Sequence, residues 1–280
     1  MPLSPIKAGL LGLPLSRSLS PEIFRIFSGL SGREIEYRAR ECGAEELAAV
    51  IRSAKAEGWS GFNVTIPYKT AVFKMLGLAD PASRDIKAVN AVRFGKKGLE
   101  GLNTDCAGIA SSLDENGINP AGKPAVVFGS GGSARAAGWA LGRAGAASVT
   151  FCARNAGAAL EAAGTLSAAF PETFFMTAPF AGPAGPAEIF INATPLGMYS
   201  PGMPPLRPKP GDCCLDLAYA AGGTEFIRAA AAAGAAAIDG LEVLVRQASL
   251  SLKFWAGLPA GDIVEFNREA LTLLRKRPRG

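Results

Sequence analysis

Two residues that could move a proton stand where predicted strands end. Lys69 follows the strand that begins at Gly61, and Asp105 follows Asn103-Thr104 at a predicted strand-to-helix junction. The helix dipole disfavours a cation near a helix start by roughly 0.3–1 kcal/mol, so local stability does not explain Lys69. Lys69 is therefore either an exposed lysine of a first helical turn or an acid or base in a cleft. Asp105 is either a helix cap or a functional carboxylate.

The chain contains no histidine. Proton transfer near neutral pH must therefore use Lys, Asp, Glu, Tyr or Cys. This excludes serine–histidine hydrolysis and zinc chemistry based on histidine. The five cysteines lack CxxC spacing, which favours free buried thiols in a reducing cytoplasm over a disulfide framework or a metal site. We expect no metal.

A hydroxyl cluster surrounds the first predicted helix start. Ser20-Pro21 is typical of an N-cap followed by proline at the first helical position. Ser18 has no such evident structural role. Together with Thr65, these serines could hold a substrate carboxylate by hydrogen bonds alone.

Three side-chain amides occupy positions that need an explanation. Asn63 and Asn90 lie in or beside predicted strands, where asparagine is disfavoured. Each would either brace a loop or bind ligand hydroxyls. Gln247 lies on the predicted helix Leu241–Trp255, as either a surface residue or a ligand contact.

Residues 126–135 read Val-Val-Phe-Gly-Ser-Gly-Gly-Ser-Ala-Arg, the order of a dinucleotide-binding strand–turn–helix. Gly129 suits a tight turn, Gly131 would let backbone N–H groups approach a pyrophosphate, and Ala134 suits close packing of helix on strand. The helix N-terminus would add free donors and a positive dipole. The pattern also fits a plain strand–turn–helix, but the following strand Ser148–Cys152 favours a βαβ unit.

Arg154 lies after that next strand, where NAD-binding folds usually carry an acidic residue for the ribose 2′-hydroxyl. An arginine there suits a 2′-phosphate and favours NADP. The alternative is a solvated loop arginine.

Strands alternate with helical patterns along the whole chain of 280 residues, which predicts an α/β fold with largely parallel sheets. We expect two lobes with a cleft between them: an N-terminal α/β domain, residues 1–104 plus 241–280, and a Rossmann-like dinucleotide-binding domain, residues 105–240. Ligands of such sheets bind at the carboxyl ends of the strands.

The net charge is +5, but the basic residues are scattered except in residues 275–279. We interpret that run as a solvated tail, and we expect no nucleic-acid partner. No apolar run reaches the roughly 18 residues of a membrane span, and no secretory signal is evident. We therefore expect a cytoplasmic protein without a membrane partner, either a monomer or a homodimer.

Taken together, these segments resemble the shikimate dehydrogenase family over nearly the whole chain. The most specific of them is Asn-Val-Thr-x-Pro-x-Lys at residues 63–69. The other matching segments are Ser18–Pro21, Ala88–Asn90, Asn103–Asp105, Gly129–Arg135, Asn192–Met198 and Asp239–Leu241 with Gln247.

The resemblance implies reversible, NADPH-dependent reduction of 3-dehydroshikimate to shikimate, in aromatic amino acid biosynthesis. It implies that Lys69 and Asp105 are the catalytic pair. Implied substrate contacts are Ser18, Ser20 and Thr65 for the carboxylate, Asn90, Asp105 and Gln247 for ring hydroxyls, and Tyr219. Implied cofactor contacts are Gly129, Ser130, Gly131, Gly132, Ser133, Arg154, Leu217 and Gly240.

The chain departs from the family pattern at several positions. Arg17 stands where the family often has histidine, and the cofactor element Asn-Arg-Thr reads Ala153-Arg154-Asn155. A second arginine common in the family is Ala158, and the proline usual soon after Tyr219 is missing. Two alternatives therefore stay open: a quinate or dual quinate/shikimate dehydrogenase using NAD or NADP, and an NADP-binding regulator without catalysis.

Overall fold

The computed structural model of the chain describes residues 4–182, 185–256 and 263–276. They form two compact units, Met1–Thr104 with Val245–Gly280, and Asp105–Leu244. One division lies between residues 104 and 105, and the other lies between residues 244 and 245, inside a helix.

The first unit carries a six-stranded sheet in the order β2-β1-β3-β5-β6-β4. Its strands are β1 (Ile6–Gly12), β2 (Ile35–Glu41), β3 (Gly61–Val64), β4 (Leu78–Ala79), β5 (Ala91–Gly95) and β6 (Gly98–Leu102). Strands β1 and β3 are parallel, whereas β3 pairs antiparallel with β5. The carboxyl ends of β1 and β3 and the amino end of β5 therefore share one edge of the sheet.

Helices cover this sheet and supply its core. They are α1 (Ser20–Ser31), α2 (Leu47–Ala56), α3 (Lys69–Phe73), α4 (Pro81–Ile86), the carboxyl part of α9 (Gly240–Ala256) and α10 (Ile263–Arg275). The apolar face of α1 is buried through Ile23, Phe24, Ile26 and Phe27. Glycine at position 61 leaves space for the indole ring of Trp255 to pack against the strand. A Cβ on Gly61 would lie 2.4 Å from the indole nitrogen. That nitrogen donates to the carbonyl of Val92 at 2.9 Å.

The second unit is a parallel sheet in the order β12-β11-β10-β7-β8-β9. Its strands are β7 (Pro124–Phe128), β8 (Ser148–Ala153), β9 (Phe174–Pro179), β10 (Ile189–Asn192), β11 (Cys213–Asp216) and β12 (Ala236–Ile238). Its helices are α5 (Thr104–Glu115), α6 (Gly132–Arg143), α7 (Ala156–Ala169) and α8 (Glu225–Ala232). Strands β7 and β11 are largely apolar and almost entirely buried, as expected of a sheet covered on both faces.

Several elements differ from the sequence-based predictions. The apolar spacing after Pro67 predicts a helix that runs through Leu76, but α3 begins at Lys69 and ends at Phe73. The alternation of residues 88–94 predicts a strand that starts at Ala88, which is wrong because β5 begins at Ala91 and residues 88–90 connect α4 to it. Strand β9 was not predicted, since its exposed edge position leaves it without an apolar alternation.

All five cysteines are buried and none of them forms a disulfide bond, as the sequence predicts. Within the part of the chain that the structure describes, no helix is long and apolar enough to cross a membrane. In the predicted basic tail 275–279, residues 277–279 lie outside the described residues.

Candidate active site

The carboxyl-end edge of the first sheet brings together loops that are far apart in sequence. The N–H of Leu13 donates to the carbonyl of Ile66 at 2.9 Å, which joins the loops after β1 and β3. The N–H of Val89 donates to the carbonyl of Lys69 at 3.0 Å, which joins α3 to the segment before β5. The segments that carry Thr65, Lys69 and Asn90 therefore lie next to each other at one edge of the sheet.

The hydroxyl cluster lies in the first two of these loops. The helix α1 begins at Ser20, so Ser20 is a helical residue and not the predicted N-cap. The hydroxyl of Ser18 accepts from the N–H of Ser20 at 3.3 Å, so Ser18 has the local structural role that the sequence did not reveal. A Cβ on Gly12 would lie 2.4 Å from Cγ2 of Thr65, so the β1 and β3 loops are in close contact.

Asn90 and Gln247 form a buried polar group with Thr104. The side-chain amide of Asn90 donates to Oε1 of Gln247 at 3.3 Å, and its Oδ1 accepts from the N–H of Thr104 at 2.7 Å. Gln247 is only 7% exposed, so the interpretation of it as a surface helix residue is wrong. These contacts hold both amides at the end of the sheet where the loops meet.

Asn63 braces this group. Its Oδ1 accepts from the hydroxyl of Tyr37 at 2.9 Å. Its amide donates to the carbonyl of Asn90 at 2.9 Å and to the hydroxyl of Ser251 at 2.8 Å. Of the two roles that the sequence left open for Asn63, these three protein contacts support the bracing role.

Lys69 is the first residue of the short helix α3 and is half-buried. Its helix is positioned by Tyr68, whose hydroxyl donates to the carbonyl of Cys42 at 2.5 Å. Asp105 is the second residue of α5, within its first turn and half-buried. Because the helix begins at Thr104, Asp105 is a helical residue, so the interpretation of Asp105 as the helix cap is wrong.

The glycine turn of the second unit has the local geometry of an anion site. Gly129 has φ +117, which explains why glycine is needed there. Gly131 is the N-cap of α6 with no side-chain cap hydrogen bond, and no atom lies within 4 Å of a Cβ built on it. Neither packing nor backbone conformation requires glycine at 131, so the space and the N–H donors of Gly132 and Ser133 suit an incoming pyrophosphate. Ser130 lies between Gly129 and Gly131 in the turn.

Gly240 lies against the chain that follows β11. A Cβ there would lie 2.5 Å from the carbonyl oxygen of Ala218 and 2.9 Å from that of Leu217. Only glycine therefore fits at the start of α9. Leu217 and Tyr219 are half-buried residues of the same segment.

Arg154 is exposed and lies directly after β8. The next residue, Asn155, is the N-cap of α7 and accepts from the N–H of Ala158 at 3.0 Å. Asparagine thus performs a cap role at the position where the family pattern has threonine. The structure places Arg154 on the same edge of the second sheet as Gly129, since β7 and β8 are parallel neighbours.

Asp216 is a buried carboxylate that sequence reasoning missed. It ends β11, is 0% exposed, and accepts from Asn192 Nδ2 at 2.8 Å, from the N–H of Ala218 at 2.9 Å and from the hydroxyl of Thr224. Burial raises the pKa of Asp216 to about 7 against the lowering effect of these hydrogen bonds, and Asp239 adds to the rise. The available signal was an aspartate within the apolar run Cys213–Leu217.

Known proteins share this architecture. Residues 10–92 match the model of the shikimate dehydrogenase substrate binding domain. A shikimate dehydrogenase (NADP(+)) of Anaeromyxobacter sp. (strain Fw109-5) is 40% identical over 263 residues, which cover 91% of this chain and 92% of that protein. The chain belongs to the shikimate dehydrogenase family.

Solved structures of the same fold agree with this membership. The shikimate 5-dehydrogenase of Thermus thermophilus, in complex with NADP(H) and shikimate, matches with a TM-score of 0.82 and 30% identity over 96% of this chain and 99% of that one. A 5-ketofructose reductase of Gluconobacter sp. strain CHM43 also matches with a TM-score of 0.82 and 30% identity, over 97% of this chain and 99% of that one. The fold is therefore shared by a reductase of a different ketone.

The match to the family model falls within one of the two units. The matched residues 10–92 lie in the first unit and include Ser18, Thr65, Lys69 and Asn90. The glycine turn lies in the second unit, which has the strand order of a Rossmann-like sheet.

Proposed function

We propose that this chain catalyses the reversible, NADPH-dependent reduction of 3-dehydroshikimate to shikimate. The observation that carries the proposal is the shared edge of the first sheet, where the Lys69 loop lies beside the buried pair Asn90 and Gln247. A polyhydroxylated ring needs amide groups that are already oriented, and these hydrogen bonds orient them.

Lys69 and Asp105 are the proposed catalytic residues. Reduction of a ketone places negative charge on its oxygen, and the ammonium group of Lys69 would stabilise that charge and supply the proton. Asp105 is the proposed carboxylate partner of Lys69 in this step. The nicotinamide, when bound, supplies the hydride, so the protein itself contributes orientation and proton transfer.

The substrate carboxylate is assigned to the hydroxyls of Ser18, Ser20 and Thr65. Ser18 and Thr65 lie on the two loops that are in contact at Gly12, and Ser20 is the first residue of helix α1. Hydroxyl donors can bind a carboxylate without a counter-cation. The ring hydroxyls are assigned to Asn90, Asp105 and Gln247, with Tyr219 as a further substrate contact.

NADP is the proposed cofactor. The turn Gly129, Ser130, Gly131, Gly132 and Ser133 would hold its pyrophosphate, in the open space above Gly131. Arg154 would bind its 2′-phosphate, and Leu217 and Gly240 would border its nicotinamide end. The residues directly after β8 include this arginine and no acidic residue, which favours NADP over NAD.

One comparison tests this assignment. Purified protein is assayed for oxidation of shikimate, quinate and fructose, each with NADP and with NAD. We expect shikimate with NADP to give the highest kcat/KM by at least about tenfold. A higher kcat/KM for quinate would favour a quinate or dual quinate/shikimate dehydrogenase. Activity toward fructose alone would favour a reductase of the 5-ketofructose type. Tight NADPH binding without any turnover would favour a regulator.

The free thiols favour the reducing cytoplasm as the location of the enzyme. The proposed catalytic residues all belong to one chain, so a monomer suffices for the chemistry. We infer a monomer or a homodimer, which sedimentation of the purified protein distinguishes.

A further inference from the structure

A chain of buried hydrogen bonds crosses the carboxyl ends of β10 and β11. Asp216 is at its centre, with Oδ1 accepting from Asn192 Nδ2 at 2.8 Å and from the N–H of Ala218 at 2.9 Å. Its Oδ2 accepts from the hydroxyl of Thr224, which in turn accepts from the N–H of Ile227 at 3.2 Å as N-cap of α8. One carboxylate therefore holds the end of β10 and both ends of the segment 217–224.

The same chain continues into the segment after β10. Oδ1 of Asn192 accepts from the N–H of Thr194 at 3.0 Å and from its hydroxyl at 2.6 Å. The amide of Asn192 also donates to the carbonyl of Leu196 at 3.3 Å. Asn192 and Asp216 thus fix both segments that leave the centre of this sheet.

These two segments contact the glycines at both ends of the proposed cofactor site. A Cβ on Gly129 would lie 3.0 Å from the carbonyl oxygen of Ala193. A Cβ on Gly240 would lie 2.5 Å from that of Ala218. The hydrogen bonds of Asp216 therefore link the turn at Gly129 to the backbone around Gly240 within a single unit.

We propose that Asp216 is a positioning residue that sets the nicotinamide end of the cofactor site relative to the pyrophosphate turn. It acts through the segment that carries Leu217 and Tyr219, and the proposal rests on the proposed use of NADP. Complete burial of a carboxylate costs folding free energy unless hydrogen bonds replace its lost hydration. An apolar side chain would fill the same space without that cost but would leave Asn192, Ala218 and Thr224 without their acceptor.

The test compares two matched substitutions at opposite ends of β11. Asp216→Asn keeps the shape of the side chain and removes its charge. Asp212→Asn makes the same change near the other end of β11, where Asp212 is also buried and accepts from the N–H of Lys209 at 2.9 Å. The dissociation constants of NADPH and of 2′-phospho-ADP-ribose, which lacks the nicotinamide, are measured for both variants and the parent.

We expect Asp216→Asn to weaken NADPH binding by about tenfold and 2′-phospho-ADP-ribose binding by less than about twofold. We expect kcat to fall about 10- to 100-fold with little change in the KM of shikimate, because misplacing the reacting ring slows the chemical step. Asp212→Asn should resemble the parent in every measurement. Equal weakening of both ligands, no change in either, or the same pattern in Asp212→Asn would overturn the proposal.

A second pair keeps the test decisive if Asp216→Asn does not fold. Thr224→Val removes the hydroxyl that donates to Asp216, and Thr224→Ser retains it. We expect the valine variant to lose NADPH affinity selectively and the serine variant to recover it. Similar affinities in the two variants would contradict the inference. The binding measurements stand even if the parent fails to oxidise shikimate, so failure of the proposed function is recognised separately.

Discussion

Asn90 donates its side-chain amide to Oε1 of Gln247 at 3.3 Å, although 157 residues separate them in sequence. The side-chain oxygen Oδ1 of Asn90 accepts from the backbone N–H of Thr104. Neither amide can rotate without losing a buried hydrogen bond, so both are held in one orientation before any ligand binds. Such preorganisation is what recognition of ring hydroxyls requires.

Lys69→Ala tests the catalytic assignment. Removing the ammonium group should lower kcat for shikimate oxidation by about 10²–10⁴-fold, because proton transfer and charge stabilisation at the oxygen are both lost. The KM of shikimate should change much less. Steady-state assays at saturating NADP measure both quantities.

Lys74→Ala is the matched control, since Lys74 is an exposed lysine at the other end of the same short helix. It should retain parental turnover. Near-normal kcat in Lys69→Ala would remove Lys69 from the mechanism.

Asn63→Ala tests the bracing role. The substitution removes three hydrogen bonds, two of them buried, and leaves the carbonyl of Asn90 and the hydroxyl of Ser251 without this partner. We expect the free energy of unfolding to fall by about 2–4 kcal/mol. Asn119→Ala, at an exposed position with one local hydrogen bond, should cost less than about 1 kcal/mol. Urea unfolding measures the free energy of unfolding of both variants. An equal decrease in the two variants would contradict the bracing role of Asn63.

Arg154→Ala tests cofactor selectivity. An exposed arginine that binds only the 2′-phosphate should matter for NADPH and not for NADH. We expect the KM of NADPH to rise by about 10-fold or more, while the KM of NADH stays within about twofold. Arg143→Ala, at an exposed position in the last turn of α6, should change neither. A parallel rise for both cofactors in Arg154→Ala would indicate a general role in folding or binding.

The stability of the protein should depend on pH through Asp216. Burial raises its pKa to about 7, whereas an aspartate in an unfolded chain has a pKa of about 3.9. Between these pH values the folded state keeps a proton that the unfolded state releases. Stability therefore falls as the pH rises from about 4 through about 7, and it levels off above.

Asp216→Asn removes this titration. Comparing urea unfolding at pH 5 and pH 8, we expect the parent to lose roughly 2–3 kcal/mol more than the variant over that interval. Asp239, whose charge also raises the pKa of Asp216, is unchanged in both proteins. Identical pH dependence in parent and variant would mean that Asp216 titrates in its ordinary range.

Sequence patterns predicted most strands of both sheets because apolar runs bounded by glycine, proline and polar residues are local signals. They failed at β9, whose pattern is set by its position at the edge of a sheet, and at α3, which is only one short turn long. They also assigned the capping role to Ser20, whereas the hydroxyl of Ser18 accepts from the first helical N–H. The backbone conformation between Ser18 and Ser20 decides which hydroxyl reaches that N–H.

The sequence by itself determined the α/β class, the exclusion of histidine chemistry, the glycine turn and the family resemblance, because each depends on residue types at fixed local spacing. Only the tertiary structure decided that Gln247 is buried beside Asn90, that Asn63 braces them, and that Asp216 holds two segments together. These relationships depend on which strands become neighbours in a sheet, and sequence spacing does not encode that order. A buried amide or carboxylate acquires its role from the donors and acceptors that folding brings within about 3 Å of it.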